Sequence, residues 1–167
     1  MVHSRKLESN IMAVEIERKF LITSDDFKQN AHQKNYIKQG FLNSDKNRVV
    51  RVRIKDKTGF LTIKGASNKS GTTRFEWEKE IDLEEAKELL NLCEDGFIEK
   101  FRYLVKVNNH TYEVDEFLGE NNGLLVAEIE LENEQETFIK PNWLGKEVTG
   151  IVKYYNSNLS KLPFLKW

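Results

Sequence analysis

The sequence predicts an α+β fold dominated by β-structure: eight antiparallel strands curled into a closed barrel, or tunnel, with helices packed outside and a C-terminal helix near one mouth. Three observations predict it. Segments in which apolar and polar residues alternate recur along most of the chain, the period of a strand with two unlike faces. Several are separated only by short turn sequences, "DKTG", "NNH" and "GENNG", which is hairpin chemistry. The links are mostly short, and an antiparallel sheet with this many strands removes its edges by closing on itself.

The elements follow in chain order. The first strand is residues 14–22, "VEIERKFLI". A weak helix, "SDDFKQNAHQ", capped by Ser24 or Asp25, leads to strands at about 36–42, 48–55 and 59–65. The polar stretch "GASNKSGTT" reads as a mobile linker that reaches over the tunnel, because its glycines and Thr72 do not keep phosphate-loop spacing. A strand at 73–82 runs into the helix "DLEEAKELLNLCEDG", with Asp82 as N-cap, Glu85 reaching back and Gly96 just past the end. Strands at 98–107, 110–117 and 124–132 complete the set. After Pro141, "WLGKEVTGIVKYYNSNLSKL" carries Ile151, Tyr154, Tyr155 and Leu159 at helical spacing.

A chain of 167 residues is most simply one domain, here 12–167. Residues 1–11 show no period and read as a tail, disordered or added in expression. The 26 basic side chains face 27 acidic ones, net −1, so the basic excess of non-specific nucleic-acid binding is missing. Cys93 is the only cysteine, which rules out a disulfide within the chain and fits a reducing cytoplasm. No apolar run has the length of a membrane span.

Sorting each strand by parity isolates a second, heavily charged face. Arg51 and Arg53 oppose Val50, Val52 and Ile54, and Glu76 and Glu78 share a face with Arg74. Lys100 lies with Arg102, Glu128 with Glu130, Glu15 with Glu17 and Lys19, and Asp115 with Glu113. A solvated, salt-bridged sheet face is the plain reading. Against it, the polar positions are nearly all charged, and like charges sit two residues apart, roughly 6–7 Å in a strand. Turned inward, these faces would make two walls. Arg51, Arg53, Lys64, Lys100 and Arg102 suit phosphate oxygens. Glu15, Glu17, Glu128 and Glu130, with Glu76, Glu78 and Asp115, offer hard oxygen ligands for Mg²⁺ or Mn²⁺. His3, His32 and His110 lack zinc-ligand spacing. A metal-complexed polyphosphate would satisfy both walls.

Glu15-x-Glu17-x-Lys19 resembles the E-x-E-x-K signature of the CYTH superfamily, the triphosphate tunnel metalloenzymes. "QGFL" at 39–42, Arg51-x-Arg53, "TIKG" around Lys64, Arg74-x-Glu76-x-Glu78, Lys100-x-Arg102, "EVDEF" and Glu128-x-Glu130 follow in the family order. The likeness covers nearly all of 13–167 and is closest to the short, single-domain bacterial members. Phe41 stands where many members have tyrosine, and Ile151 where the tail often has an acidic residue.

The resemblance implies an eight-stranded tunnel that binds a triphosphate-containing small molecule, and activities from inorganic tripolyphosphatase and thiamine triphosphatase to RNA triphosphatase and adenylate cyclase. It implies that Arg51, Arg53, Lys64, Lys100, Arg102 and Arg74 hold phosphates and that the carboxylates bind metal. Lys19 matches the family residue proposed as general base; from the residues alone it is either base or phosphate clamp. Members often form homodimers, and the segment around Tyr154 and Tyr155 resembles an element that gates one mouth, or packs over it. The reading is a metal-dependent hydrolase of inorganic triphosphate or a compact organic one. Adenylate cyclase is the alternative enzyme, and a polyphosphate- or nucleotide-binding module without turnover the alternative class.

Overall fold

The computed structural model describes residues 14–167; the tail expected at 1–11 lies outside the described residues. Alternation produces β1 (Val14–Ile22), β2 (Ala31–Asn43), β3 (Arg48–Lys55), β4 (Thr58–Gly65) and β5 (Thr73–Ile81). After the first long helix come β6 (Ile98–Val107), β7 (His110–Phe117), β8 (Leu125–Glu130) and a short β9 (Leu144–Glu147). The helices are α1 (Phe27–Asn30), α2 (Leu83–Leu90) and α3 (Asn156–Leu159).

The strands run in the order β5-β4-β3-β2-β6-β7-β8-β1-β9, and a β5–β1 pairing closes the first eight into the expected barrel. β1 does the closing. Glu17 to Leu21 pair with β8, while Val14 to Ile16 pair with β5 on the opposite edge. Beyond Ile16 that opposite edge would be left with unpaired backbone, which a folded chain must satisfy. β9 takes it, with Phe20 opposite Glu147 and Ile22 opposite Leu144.

That requirement overturns the long helix expected after Pro141. The segment is β9, a 3-10 turn at Val152–Tyr154 and the single turn of α3. Gly150, at φ +76°, breaks it, and a Cβ there would lie 2.9 Å from the Ser70 carbonyl oxygen. The helix expected over "SDDFKQNAHQ" shrinks to α1, because β2 begins at Ala31 to pair with β6. α2 starts after Asp82 as expected, but the Asp82 side chain makes no cap bond and the helix ends at Leu90 with Asn91 as C-cap. Gly96 serves elsewhere, since a Cβ on it would lie 1.9 Å from the Ser160 carbonyl oxygen. "GASNKSGTT" is tied down: the Asn68 side-chain oxygen accepts from the Thr72 and Thr73 backbone N–H groups at 3.0 and 3.2 Å.

Most of the apolar core lies outside the barrel wall. Phe20, Tyr103, Val105, Tyr112, Val114, Ala127 and Ile129 face outward and are covered by Phe27 of α1 and by Trp143. Val52 is covered by Ala86 and Leu90 of α2. A third cluster fills one end of the barrel. Phe41, Val49, Ile98, Phe117 and Val126, all on lumen-facing positions, pack with Leu124 and with Leu159 of α3. Each of four strands thus switches its inner face from charge to hydrocarbon: Arg51 to Val49, Lys100 to Ile98, Asp115 to Phe117, Glu128 to Val126. The tunnel has an apolar plug.

Candidate active site

Above the plug lies a cavity of about 220 Å³. Its lining takes in thirteen of the fourteen residues expected there. Lys19, Glu15 and Glu17 come from β1; Arg74, Glu76 and Glu78 from β5; Lys64 from β4; Arg51 and Arg53 from β3; Lys100 and Arg102 from β6; Glu128 and Glu130 from β8. Strand order sorts them by sign. Cations dominate β4, β3 and β6, and carboxylates dominate β7, β8, β1 and β5.

Asp115 is the fourteenth, 1% exposed and behind the lining. Its two oxygens accept a fork from Arg102 Nε and Nη2 at 2.7 and 2.8 Å, and one lies 2.8 Å from Lys100 Nζ. Its lone pairs are committed to the cationic wall, where a bidentate pair fixes the guanidinium plane. Arg102 Nη1 also meets Glu113 at 2.5 Å.

Sequence reasoning missed several lining residues: Lys55 and Glu113, which share the parity of the named doublets, and Phe41, Tyr155, Asn156 and Ser157. Charge patterning could have found the first two; the family resemblance had already marked Phe41 and Tyr155 without placing them in the site, and Asn156 and Ser157 gave no signal. The Tyr155 ring faces two cations, 5.1 Å from Lys19 Nζ and 5.7 Å from the Arg74 guanidinium carbon.

The acidic wall is electrostatically costly. Cross-strand register sets Glu17 opposite Glu130 and Glu113 opposite Glu128, and like charges directly opposite destabilise a sheet. Burial, then the Glu128 and Glu15 charges, hold the Glu17 carboxyl well above the usual carboxylate range. Burial would raise Glu15 too, but Lys64, with Nζ 2.8 Å from Oε2, and Arg74 reverse this and bring it down to about 2. Burial likewise opposes the charged form of Glu128, yet Lys19, Arg102 and Lys100 hold it well below the usual range. Glu76 is raised by burial and by Glu15. One carboxylate oxygen each from Glu15, Glu76 and Glu130 lie within 4.8 Å of one another. This set of hard oxygen donors, under mutual repulsion, fits a divalent cation.

On the cationic wall, burial lowers Arg53 to about 9, with Arg51 and Arg102 adding to it. Burial, then Arg102 and Arg53, takes Lys100 down to about 7 despite the Asp115 charge. Arg51 Nε is buried with no hydrogen-bond partner among the described residues, a donor of the kind that folded proteins rarely leave unmet. Lys19 goes the other way. Burial disfavours its ammonium, but Glu128, 3.5 Å away, and Glu17 outweigh it and raise the pKa.

A closed antiparallel barrel with walls of opposite charge facing across one lumen defines a charged β-tunnel. The chain belongs to the CYTH domain family, which matches residues 13–163. It is 49% identical over 154 residues to an inorganic triphosphatase of Acetivibrio thermocellus, covering 92% of this chain and 97% of the relative. It is 32% identical over 150 residues to an inorganic triphosphatase of Nitrosomonas europaea, covering 87% and 96%. A crystal structure of an inorganic triphosphatase superposes with a TM-score of 0.63 at 31% identity, covering 89% of this chain and 95% of that one.

Proposed function

We propose that this protein is an inorganic triphosphatase: it hydrolyses tripolyphosphate, with Mg²⁺ or Mn²⁺, to pyrophosphate and orthophosphate. The observation that carries the reading is the opposition of a phosphate-suited cation wall and a repelling carboxylate wall across one cavity, in a chain half identical to a relative of that name. At about 220 Å³ the cavity is smaller than the roughly 300–1,000 Å³ of sites for drug-sized ligands. Its lining is mostly charged, and its aromatic rings are Phe41, in the plug, and Tyr155, which faces Lys19 and Arg74. That favours a bare phosphate chain over a nucleotide.

In this reading Arg51, Arg53, Lys64, Lys100 and Arg102 hold the non-bridging oxygens, with Arg74 beside them. The unmet Arg51 Nε is satisfied by one of those oxygens. Asp115 acts from behind, fixing Arg102 and Lys100. Glu15, Glu76 and Glu130, adjoined by Glu17, Glu78 and Glu128, hold the cation, which supplies Lewis-acid neutralisation of phosphoryl charge and makes water more acidic. Water attacks a terminal phosphorus, the bridging P–O bond breaks, and water's proton leaves to a nearby base. Burial disfavours the Lys19 ammonium, but Glu128 and Glu17 outweigh it and keep it charged, so while they stay ionised it is a phosphate clamp. It becomes a base only when those carboxylates are otherwise neutralised. The lone Cys93, free of any disulfide, supports residence in a reducing cytoplasm.

Phosphate release from tripolyphosphate, ATP, thiamine triphosphate and pyrophosphate, each with magnesium or manganese, tests this. Tripolyphosphate is expected to be cleaved fastest, and a Glu15→Ala, Glu17→Ala protein to be inactive. Equal release by that variant removes the metal site, and cyclic AMP from ATP replaces the hydrolase with a cyclase.

A further inference from the structure

Asn156 begins α3, the element that seals the plugged end, and its side chain lines the cavity beside Lys100. Its orientation follows from a one-way chain of donors. Arg53 Nε can only donate, and does so to Gln39 Oε1 at 3.0 Å. Gln39 Nε2 therefore points the other way and donates to Asn156 Oδ1 at 3.1 Å. Lys100 Nζ, which can donate as ammonium or as amine, donates to the same oxygen at 2.9 Å. Both acceptor sites of Oδ1 are filled. Nδ2 carries two N–H groups, and among the described residues it donates to no protein atom. Gln39 is fully buried and touches both neighbours without reaching the lining.

We propose that Asn156 is a substrate-contacting residue, its Nδ2 donating to the phosphoryl group that docks at the closed end of the tunnel, with Gln39 as the positioning residue that sets the carboxamide. The proposal rests on the triphosphatase reading for its ligand. A neutral donor suits this place. Burial first, and then the neighbouring cations, lower Lys100 and Arg53 there, and a further cation would deepen the repulsion. A carboxamide adds a directional bond without charge. The hydrocarbon of Phe41 and Val49 beyond it leaves no exit. A terminal phosphoryl group fits against that floor; a phosphate esterified to an organic group would have to place its substituent toward the open mouth. Asn156 thus reads a free phosphoryl end.

A latch is the competing role: Oδ1 occupies Lys100 in place of phosphate and must be displaced. The two roles predict opposite signs. Tripolyphosphate is titrated calorimetrically into metal-free protein, and KM and kcat are measured with magnesium. Asn156→Ala is expected to weaken affinity and raise KM about tenfold. Asn156→Asp keeps an acceptor for Lys100 and Gln39 but loses both donors, so it is expected to raise KM more than tenfold at an unchanged melting temperature. Gln39→Glu still accepts from Arg53 but no longer donates to Asn156, and is expected to raise KM with kcat unchanged. Asn156→Ala binding as tightly as wild type, or tighter, overturns the proposal, as does wild-type affinity in Asn156→Asp. A wild-type KM in Gln39→Glu overturns the positioning role. If wild-type protein binds tripolyphosphate but releases no phosphate, the hydrolase reading falls while the titrations still decide Asn156.

Discussion

Lys64 Nζ lies 2.8 and 3.1 Å from the two oxygens of Glu15, the carboxylate that clusters with Glu76 and Glu130. One ammonium therefore joins the two walls, and in the free protein it gives the acidic cluster part of the positive charge that a divalent cation would give it.

Removing that ammonium separates the two jobs. In Lys64→Met, Glu15 loses its nearest cation and the three carboxylates repel more strongly, so Mn²⁺ alone is expected to bind more tightly. Tripolyphosphate loses a point charge, and kcat/KM is expected to fall at least a hundredfold. Manganese titration followed by paramagnetic resonance, beside steady-state kinetics, checks both; weaker manganese binding would show that Lys64 does not compete for the carboxylates.

The charge walls were legible because strand parity is rigid. Glu15 and Glu17, Arg51 and Arg53, and Glu128 and Glu130 repeat a two-residue spacing that a solvated sheet face explains less well than an enclosed site, and closure turned these doublets inward. β9 was not legible: Leu144 to Glu147 form a strand only because β1 has an open edge past β5, a tertiary demand with no local signature. Nor were Gln39 and Asn156, whose roles depend on a donor chain spanning β3, β2, β6 and α3. Asp115 shared the parity of the lining carboxylates, but its register opposite Arg102 commits it to the guanidinium.

Lys100 sets a pH dependence. Its pKa, lowered from 10.5 to about 7 by burial and the neighbouring arginines, means that between those values the folded protein binds fewer protons here than the unfolded chain. Its contribution to stability therefore grows with pH across that window. A phosphate ligand favours the ammonium, so binding at about pH 8.5 is expected to take up a proton. Calorimetry in buffers of different ionisation enthalpy reads that uptake, and Lys100→Gln should abolish it. Equal uptake in that variant would assign the proton elsewhere.

Lys19 is decided by its pH–rate profile. An arginine keeps the charge but cannot release a proton near neutrality. If Lys19 serves as base once Glu17 and Glu128 are neutralised, Lys19→Arg loses at least a hundredfold in kcat together with the ascending limb of the profile, the rise in rate as the amine deprotonates. If it clamps phosphate throughout, the profile keeps its shape and the loss is within about tenfold.

Glu17 links function to stability with opposite signs. Its carboxyl is pushed well above 4.5 by burial and by Glu128 and Glu15, so its stabilising contribution, complete in acid, is lost as pH rises through the folded-state value. At neutral pH Glu17 therefore costs the metal-free fold stability, whether it ionises against Glu128 and Glu15 or holds its proton. Glu17→Gln removes that charge in nearly the same volume. It is expected to raise the metal-free melting temperature by roughly 2–4 °C, the effect of about 1 kcal/mol in a chain of this size. It is expected to lower kcat/KM a hundredfold or more, because a carboxylate adjoining the cation is gone. Thermal melts at pH 7.5 and at pH 4, without metal, should show the gain only at the higher pH, where the wild-type carboxyl is under pressure to ionise. A gain of the same size at both pH values would mean that packing, and not charge, is what the substitution relieves.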